Sequence, residues 1–332
     1  MRVAVSGGAG YIGSVVVEVL VEDGHDVLVV DNLSKGHRDA VTVPAFAEVD
    51  LADRAAVAGH LRDFRCEAVV HMAADSLVGE SVTVPAKYYR NNVLAGLALL
   101  DAMREADVPR LVFSSTAAVY GQPDVPLIDE SQPLAPINPY GAAKMMAERV
   151  LTDIASAHGL RHAILRYFNV AGADARARIG EATPDNSHLV KVACETAFGL
   201  RPGMFVNGTD YPTPDGTCIR DYVHVDDLAR AHLQALAHLL DGGASLTANC
   251  GYGHGFSVRE VLDTTRRVTG VEFPIQEGPR RPGDPAVLVA DARRIQSVLG
   301  WRPQHDDLDY IVGTAWRWEQ RLQGMRSLGK AS

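Results

Sequence analysis

Tyr140 and Lys144 stand four residues apart where a helix is predicted to begin, because Pro139 suits a first helical turn and an apolar-periodic run follows. Side chains at i and i+4 share one helix face, so the phenol and the ammonium would be neighbours. To act as a base near neutral pH, a phenol must lose about three pKa units, or about 4 kcal/mol. A cation at about 4 Å supplies stabilisation of that order at an effective dielectric of about 20. The spacing therefore indicates a tyrosine base tuned by a lysine, unless the pair lies on an ordinary surface helix.

The segment GGAGYIG follows the first predicted strand and opens the first predicted helix, placing Gly7, Gly10 and Gly13 at dinucleotide-binding spacing. A backbone without side chains can approach a pyrophosphate, whose charge then faces the N-terminus of the helix. Asp31 ends the second predicted strand, where a carboxylate accepts ribose hydroxyls and repels a 2′-phosphate. Asp31 alone could equally be a helix cap or a turn residue. Strand, loop, helix and acid together predict binding of NAD rather than NADP.

Short Val-rich strands alternate with helical segments through the first half of the sequence. The predicted strands are RVAVSGG, DVLVVD, AEVD, AVVHMAA and RLVFSST. This alternation predicts an α/β fold, a Rossmann-type doubly wound parallel sheet, in which ligands bind at the carboxyl ends of the strands. The glycine loop, the end of RLVFSST and the helix carrying Tyr140 would therefore converge.

The alternation fades near Gly172, and the segments that follow are rich in Gly and Pro. We therefore predict an NAD-binding domain over 1–172 and a smaller C-terminal substrate-binding domain over 173–332. A segment at about 218–240 is expected to return and pack on the sheet. Asp226 or Asp227 is expected to cap the helix in that segment.

The composition limits the classes of partner. A chain of 332 residues with 47% hydrophobic content can bury a core in one or two domains. Its net charge of −9 gives no attraction to phosphate backbones or anionic lipid, so we expect no nucleic acid or membrane partner. Without a signal peptide or long apolar run, a cytoplasmic location is expected. The four scattered cysteines predict structural thiols, and no metal site is expected.

Nine motifs occur in the order and spacing typical of one enzyme family. They are GGAGYIG, DNLSKGHRDAV, HMAADSLVGESV, NNV, FSSTAAVYG, PYGAAK, RYFNVAGA, DGTCIRDYVHVDDLA and RRPGD. In these motifs the sequence resembles the UDP-glucose 4-epimerases, also called UDP-galactose 4-epimerases, of the extended short-chain dehydrogenase/reductase family. The similarity runs from Met1 to about Trp301, which is nearly the whole chain.

The resemblance implies interconversion of UDP-galactose and UDP-glucose, with NAD as a returning hydride store. Tyr140 would take the proton of the sugar 4-hydroxyl while the C4 hydride leaves. The 4-keto intermediate would then rotate and receive the hydride on its other face. Thr116 stands where family members carry a Ser or Thr that hydrogen-bonds the same oxygen. Family members also pair through two helices per subunit, so a homodimer is expected.

Carried over position by position, the resemblance implies cofactor contacts from the glycine loop, the end of the second strand and several later segments. Beyond the three glycines and Asp31, they are Tyr11, Ile12, Asn32, Leu33, Ser34, Lys35, Gly36, Asp50, Leu51, Met72, Ala73, Ala74, Ser76, Asn91, Ser114, Tyr140, Lys144 and Phe168. Many members place a lysine where this sequence has Ser76. NAD would therefore be held there by backbone and hydroxyl contacts, or be held less firmly.

A UDP diphosphate in an acidic chain needs placed cations, and Arg220 and Arg281 are candidates because guanidinium matches phosphate geometry. The implied substrate contacts are Thr116, Tyr140, Asn169, His188, Leu189, Arg220, Tyr222, Arg281, Asp284 and Leu288. His188 replaces an asparagine common in the family. At the position of Leu288, a bulky Tyr in family members excludes an N-acetyl group, and a small residue admits it. Leucine is intermediate in size between the two.

Three other functions are compared with this one. Nucleotide-sugar 4,6-dehydratases carry an Asp-Glu pair after the Thr, whereas Ala117 and Ala118 stand here, so elimination would lack its proton carriers. A 4-epimerase for UDP-N-acetylhexosamine, UDP-xylose/arabinose or UDP-glucuronate remains open. A non-catalytic NAD-binding sensor is the alternative from a different class, and Tyr140 and Lys144 argue against it.

Overall fold

The computed structural model describes residues 1–183, 186–281 and 284–329. Its strands are β1 (Arg2–Ser6), β2 (Asp26–Asp31), β3 (Phe46–Glu48), β4 (Ala68–His71), β5 (Arg110–Thr116), β6 (Arg161–Tyr167), β7 (Asn169–Ala171), β8 (Met204–Asn207), β9 (Ile219–Arg220), β10 (Tyr222–His224), β11 (Leu246–Cys250), β12 (Phe256–Ser257), β13 (Ile275–Gly278) and β14 (Val287–Leu288). Seven of them form one parallel sheet in the order β3-β2-β1-β4-β5-β6-β11. The predicted doubly wound sheet is confirmed.

Helices cover both faces of this sheet. They are α1 (Tyr11–Glu22), α2 (Arg54–Asp63), α3 (Val78–Thr83), α4 (Pro85–Tyr89), a π-helix (Arg90–Leu94), α5 (Ala95–Glu105), α6 (Pro139–His158), α7 (Leu189–Ala197), α8 (Val225–Leu240), α9 (Val258–Thr269), α10 (Arg293–Leu299) and α11 (Leu308–Gly329), with 3₁₀ turns at Arg38–Ala40 and Ala117–Tyr120. Helices α1 and α8 pack together on one face, and α2, α5 and α6 lie on the other.

The apolar runs of the strands follow from this double cover. Val3 and Val5 of β1 belong to the core beneath α1 and α8, whereas Leu28 and Val30 of β2 belong to the core beneath α2 and α5. Successive side chains of a strand point to opposite faces, so a strand buried on both faces reads as continuously apolar rather than alternating.

Helix α6 begins and ends as its sequence predicts. The side chain of Asn138 caps it by accepting a hydrogen bond from the backbone nitrogen of Gly141 at 2.9 Å, and Pro139 is its first residue. Gly159 ends the helix in the left-handed conformation, with φ of 73°. A side-chain cap at the start and a glycine at the end hold the twenty-residue helix in one register.

The second half of the chain contributes to the main sheet as well as to smaller sheets. Strand β11 pairs in parallel with β6, and α8 lies beside α1. Strand β9 pairs with β12 and β14, β8 pairs with β13, and β7 pairs with β10. Helices α7, α9 and α11 pack against one another. The division at residue 172 into two domains stays a prediction.

The start of α8 differs from its prediction. His224, not Asp226 or Asp227, caps the helix: its Nδ1 accepts from the backbone nitrogen of Asp226 at 3.1 Å. The Asp227 carboxylate is fully buried and accepts instead from the Tyr252 hydroxyl at 2.7 Å and from two backbone nitrogens of the 304–305 segment. The prediction was wrong because tertiary contacts gave that carboxylate more distant donors.

The same histidine belongs to a cluster that has the side chains of metal ligands. His224, Asp226 and His305 place ligand atoms within 4.8 Å of one another. Both ring nitrogens of His224 are already hydrogen-bonded, Nδ1 at the helix cap and Nε2 to the Thr314 hydroxyl at 3.0 Å. The cluster is therefore accounted for by helix capping.

Two further sequence expectations can be compared with the described residues. Cys66, Cys194, Cys218 and Cys250 are all buried free thiols, and their structural role stays a prediction. None of the helices in the described part of the chain has the length and apolar character needed to cross a membrane.

Candidate active site

The junction of β1 and α1 has no room for a side chain at Gly7, in the loop, or at Gly13, in the first turn of α1. A Cβ atom at Gly7 would stand 2.5 Å from the backbone nitrogen of Ala73, and one at Gly13 would stand 2.0 Å from the Gly7 carbonyl oxygen. A Cβ atom at Gly10 would meet, among the described residues, only that carbonyl oxygen, at 3.3 Å. The first turn of α1 also carries no acidic side chain. An anionic group can therefore approach the helix N-terminus at Gly10.

The carboxylate of Asp31 joins this loop to the end of β2. It accepts hydrogen bonds from the backbone nitrogens of Ala9, at 3.0 Å, and Leu33, at 2.8 Å. The neighbouring Asn32 amide donates to Asp50 at 2.9 Å. The structure thus brings the predicted contacts of the 31–36 and 50–51 segments to the edge of the glycine loop.

The segment after β4 runs alongside the end of β1. The backbone nitrogens of Met72 and Ala73 both donate to the Ser6 carbonyl oxygen, at 2.8 and 3.0 Å. This double contact brings the predicted segment 72–74 beside the glycine loop. Ser76 lies on the surface, so its predicted contact with a cofactor stays a prediction.

Tyr140, Lys144 and Thr116 converge where α6 begins and β5 ends. The Thr116 hydroxyl lies close enough to the Tyr140 phenol to lower its pKa. The Thr116 hydroxyl also accepts from the backbone nitrogen of Ala118 at 3.2 Å, which turns the chain after β5. The Lys144 ammonium donates to the Ser114 carbonyl oxygen at 2.8 Å. The three predicted catalytic side chains are therefore buried together at the carboxyl end of the sheet.

Burial dominates the electrostatics of this group. Burial raises the pKa of Tyr140 above its usual value, and the nearby Thr116 hydroxyl lowers it in part. Burial also lowers the pKa of Lys144 to about 8, against the opposing charge of Glu148. The protein groups around Tyr140 therefore favour the neutral form of its phenol. The lowering of the Tyr140 pKa by Lys144 stays a prediction.

Residues at the end of β6 and directly after it lie between the predicted cofactor contacts and the predicted substrate contacts. Phe168 is buried in a cluster with Val119, Tyr120 and Ala290, against which Leu288 packs. The hydroxyl groups of Ser114 and Tyr167 share a short hydrogen bond beside Lys144. A predicted cofactor contact, Phe168, therefore adjoins a predicted substrate contact, Leu288.

Arg220 is the most buried of the predicted phosphate-binding cations, with 8% of the residue exposed. Its guanidinium donates to the Asp284 carboxylate and to the Pro285 carbonyl oxygen, the latter at 2.8 Å. Strand β14 pairs with β9 so that Leu288 lies opposite Arg220. Sheet pairing thus brings together three predicted substrate contacts that are far apart in sequence.

The remaining predicted substrate contacts lie near two other elements. Asn169 and Tyr222 are partners in the β7–β10 pairing. His188 precedes α7, and its Nδ1 lies 2.6 Å from the Glu181 carboxylate. Burial lowers the pKa of His188, but the Glu181 charge and hydrogen bond together raise it above its usual value. Leu189 packs in the same apolar cluster as Tyr222.

Arg281 meets a neutral partner. The amide orientation that satisfies both groups lets the Asn207 side-chain oxygen accept from the Arg281 guanidinium at 3.1 Å. No carboxylate within salt-bridge distance of Arg281 is found among the described residues. Its positive charge therefore stays available to an anionic ligand.

Three carboxylates beside the site hold other groups in place, and two of them, Asp221 and Glu148, were not predicted from the sequence. The Asp75 carboxylate accepts from the Asn91 amide at 2.5 Å, so an acid within the predicted 72–76 run holds another predicted cofactor contact. The Asp221 carboxylate accepts from three backbone nitrogens, at 2.9, 3.1 and 3.2 Å. Glu148 forms a buried ion pair with Arg166. Only Glu148 had a signal in the sequence, since it shares the helix face of Tyr140 and Lys144.

Known proteins that are similar to this chain over most of its length belong to one enzyme family. A family model described as the NAD dependent epimerase/dehydratase family matches residues 3–251. A UDP-glucose 4-epimerase from Azospirillum brasilense is 53% identical over 332 residues, covering 99% of this chain and 94% of that protein.

Two solved structures share the fold over nearly their whole length. UDP-glucose 4-epimerase from Brucella ovis, in complex with NAD, has 45% identity and a TM-score of 0.93, covering 95% of this chain and 97% of that one. The UDP-Glc/GlcNAc 4-epimerase from Campylobacter jejuni has 45% identity and a TM-score of 0.85, with coverages of 96% and 99%.

Proposed function

This chain belongs to the NAD dependent epimerase/dehydratase family, and we propose that it acts as a UDP-glucose 4-epimerase, interconverting UDP-galactose and UDP-glucose. The observation that carries the proposal is the buried pair of Tyr140 and Thr116 at the carboxyl end of the sheet, followed by Ala117 and Ala118. Elimination of water needs acid and base groups at those alanine positions, whereas epimerisation needs only the tyrosine relay.

The glycine loop fits the pyrophosphate of NAD, because the open space at Gly10 faces the N-terminus of α1. Two backbone nitrogens hold the carboxylate of Asp31, which leaves lone pairs on its oxygens for ribose hydroxyls. When bound, NAD supplies the hydride acceptor and donor for C4 of the sugar. Gly7, Gly10 and Gly13 would hold its pyrophosphate, and Asp31 its adenosine ribose.

The protein's own residues handle the proton. Tyr140 takes the proton of the sugar 4-hydroxyl and returns it when the product forms. The Thr116 hydroxyl lies beside the same phenol and can both donate and accept a hydrogen bond, so it can pass a proton between sugar oxygen and phenol. The Lys144 charge stabilises phenolate over phenol. Because water competes for each of these bonds, their burial favours the relay.

Opposite these groups, cations and an acid suit the UDP moiety. Arg220 is held in place by Asp284 and the Pro285 carbonyl oxygen, and a guanidinium fixed in this way is preorganised for a diphosphate. Arg281 would add a second positive charge. Asp284 would take ribose hydroxyls with its free lone pairs.

The size of Leu288 favours a second substrate. Leu288 is partly buried opposite Arg220, at the predicted edge of the sugar pocket. A relative of 45% identity is described as a UDP-Glc/GlcNAc 4-epimerase. We therefore expect weak turnover of UDP-N-acetylglucosamine, and Leu288→Tyr should remove it while UDP-galactose turnover persists.

We also propose a homodimer formed through two helical segments, α6 and the continuous π-helix and α5, with α3 packed beside α6. Large apolar side chains are exposed on this face, and soluble monomers rarely leave such patches uncovered. They are Val78, Val82, Val84, Leu94, Leu97 and Met146. Light scattering should show a dimer that Leu94→Glu disrupts, whereas Phe205→Glu, at an exposed site on β8, should leave it intact.

A reducing compartment such as the cytoplasm suits the four buried free thiols, and either galactose breakdown or UDP-galactose supply would use the reaction. The direct test of the proposed function is incubation of the purified protein with UDP-galactose, with and without added NAD, followed by separation of the nucleotide sugars. We expect conversion to a mixture with UDP-glucose and no net NADH.

The matched control is Tyr140→Phe, which removes one hydroxyl from a buried ring. We expect it to abolish turnover and to retain NAD. Conversion that needs no added NAD would show that the cofactor is retained despite Ser76. A wild-type protein that binds NAD but leaves UDP-galactose unchanged would contradict the proposed function, as would full activity of Tyr140→Phe.

A further inference from the structure

A buried ion pair lies one helical turn beyond Lys144. The Arg166 guanidinium, on β6, contacts both oxygens of the Glu148 carboxylate, on α6, with Nε–Oε1 at 2.9 Å and Nη2–Oε2 at 2.5 Å. Only 6% of the Glu148 side chain and 8% of the Arg166 side chain are exposed. Two parallel N–H···O bonds fix both planes, so this pair holds a geometry as well as a charge.

The pair is connected to the active site on both sides. The Ser115 hydroxyl, directly before Thr116, donates to Glu148. The other arm of the Arg166 guanidinium donates to the Tyr120 hydroxyl at 2.9 Å, in the turn that follows Thr116. Glu148 itself follows Lys144 by four residues and therefore shares its helix face. The network thus joins the helix that carries the base to the strand end that carries Thr116.

Stability alone does not explain such a network. Bringing two charges out of water costs several kcal/mol per ion, and replacing a buried ion pair by apolar residues is often neutral or stabilising. A packed apolar pair would hold α6 against β5 and β6 equally well. What an apolar pair cannot provide is a fixed negative charge beside a buried ammonium.

We propose that Glu148, held by Arg166, is a positioning residue for the proposed epimerase reaction, keeping Lys144 charged and Thr116 aligned with Tyr140. The inference rests on the proposed function and deepens it. Two groups of residues on α6 then have different tasks. Tyr140 and Lys144 act on the proton, and Glu148 sets the electrostatic field and the geometry around them.

The groups facing Lys144 support this assignment. From β5 come the Ser114 carbonyl oxygen and the ring of Phe113, whose centroid lies 5.0 Å from the ammonium. From β4 comes His71, which stays neutral because burial, and then the Lys144 charge, lower its pKa to about 3. From β6 comes Tyr167, whose pKa burial raises. These neighbours are neutral near pH 7, so the charged groups are Glu148 and the Arg166 cation of β6 that pairs with it, and of the two Glu148 opposes the effect of burial on the ammonium.

Glu148→Gln tests the inference, because the amide keeps the shape of the side chain and removes its charge. Lys144 should then lose its proton at lower pH, so the alkaline limb of the kcat/KM profile for UDP-galactose should move down by about one to two pH units. At pH 8, where Lys144 is about half protonated in the wild type, we expect kcat to fall about 5- to 50-fold, with KM changed less than about threefold.

Asp153→Asn is the matched control. Asp153 lies on the same helix and pairs with Arg149 at 2.8 Å, but both side chains are exposed, by 60% and 78%. The same acid-to-amide change there should leave the pH profile and kcat unaltered, because an exposed pair is screened by water. A shift of equal size in both variants would contradict the inference.

Loss of folding must be separated from loss of charge, since Glu148→Gln leaves Arg166 buried and unpaired. The double variant Glu148→Gln/Arg166→Met removes that unpaired charge and should recover thermal stability and NAD content. It should not recover the alkaline limb or kcat. Recovery of activity together with stability, or an unshifted profile in folded Glu148→Gln, would overturn the inference. A wild-type protein without turnover would instead contradict the proposed function, and the inference with it.

Discussion

Replacing Gly10 by alanine should separate the cofactor site from the stability of the fold. Gly10 has φ of −82° and ψ of 174°, a conformation open to any residue, so alanine adds no backbone strain. Its Cβ atom would lie 3.3 Å from the Gly7 carbonyl oxygen, which needs to shift only slightly. Alanine also restricts the unfolded chain, which favours folding by about 0.4–1 kcal/mol. The unfolding free energy of the cofactor-free protein should therefore change by less than about 1 kcal/mol.

Gly13→Ala is the matched variant, three residues further on in the first turn of α1. Its Cβ atom would lie 2.0 Å from the Gly7 carbonyl oxygen and 2.9 Å from the carbonyl carbon. Both atoms belong to the backbone and cannot rotate away, so the loop or α1 must move. We expect a loss at the upper end of overpacking costs, about 3 kcal/mol, even without any cofactor.

The two variants should affect different properties. Gly13→Ala should destabilise the fold, whereas Gly10→Ala should weaken the binding of NAD. At Gly10 the added methyl group occupies the space through which the pyrophosphate would approach. An overpacking cost of about 1–3 kcal/mol, applied to the complex alone, corresponds to affinity reduced by roughly 5- to 160-fold. The cofactor-free Gly10→Ala protein should still unfold like the wild type.

The assays are urea unfolding of nucleotide-free protein and calorimetric titration with NAD, both carried out on the two variants and the wild type. Wild-type affinity for NAD in Gly10→Ala would refute the assignment of this space to the cofactor. A loss of stability in Gly10→Ala equal to that of Gly13→Ala would refute the steric argument itself.

Three further outcomes are expected. Thr116→Val should lower kcat roughly 10²-fold with NAD retained, whereas Thr116→Ser should stay near wild type, as steady-state kinetics with UDP-galactose would show. Arg220→Lys should raise KM at least about tenfold with little change in kcat, because a single ammonium replaces a bidentate donor; an unchanged KM would contradict the phosphate role. Burial lowers the pKa of His71, His224 and His232 to about 3, 3 and 4, so these rings stay neutral in the folded protein while the unfolded chain protonates near pH 6.5. Below that pH, the unfolding free energy measured in urea should fall by up to about 4 kcal/mol for each pH unit, because three histidines each take up a proton on unfolding. His232→Gln should reduce this slope by about a third.

The sheet and its first helix could be predicted because their signals are local. Val-rich runs of β1 and β2 are continuous since both faces of the strands are covered, and the glycine loop between them reports a backbone constraint. Asn138, Pro139 and Gly159 likewise mark the ends of α6 within a few residues of the sequence. Propensity, capping and turn chemistry act over short range, so they can be recognised without the fold.

The α8 cap shows where local reasoning fails. An aspartate near a helix start is a good cap by residue type, yet His224 caps the helix and Asp227 bonds Tyr252 and the 304–305 segment. A carboxylate goes to whichever donors are buried with it, and those donors come from distant parts of the chain. The two acids beside the site that were not predicted, Asp221 and Glu148, follow the same rule.

The sequence by itself determined the residue types and the short-range geometry of this protein: a glycine loop before a helix, an acid at a strand end, and a tyrosine and a lysine on one helix face. Only the tertiary structure decided which of these groups meet. Strand pairing placed Arg220 opposite Leu288, and burial set the pKa directions of Tyr140 and Lys144. The physical reason is range, because spacing along a helix is set by covalent geometry, whereas desolvation and ion pairing depend on every element packed around a group.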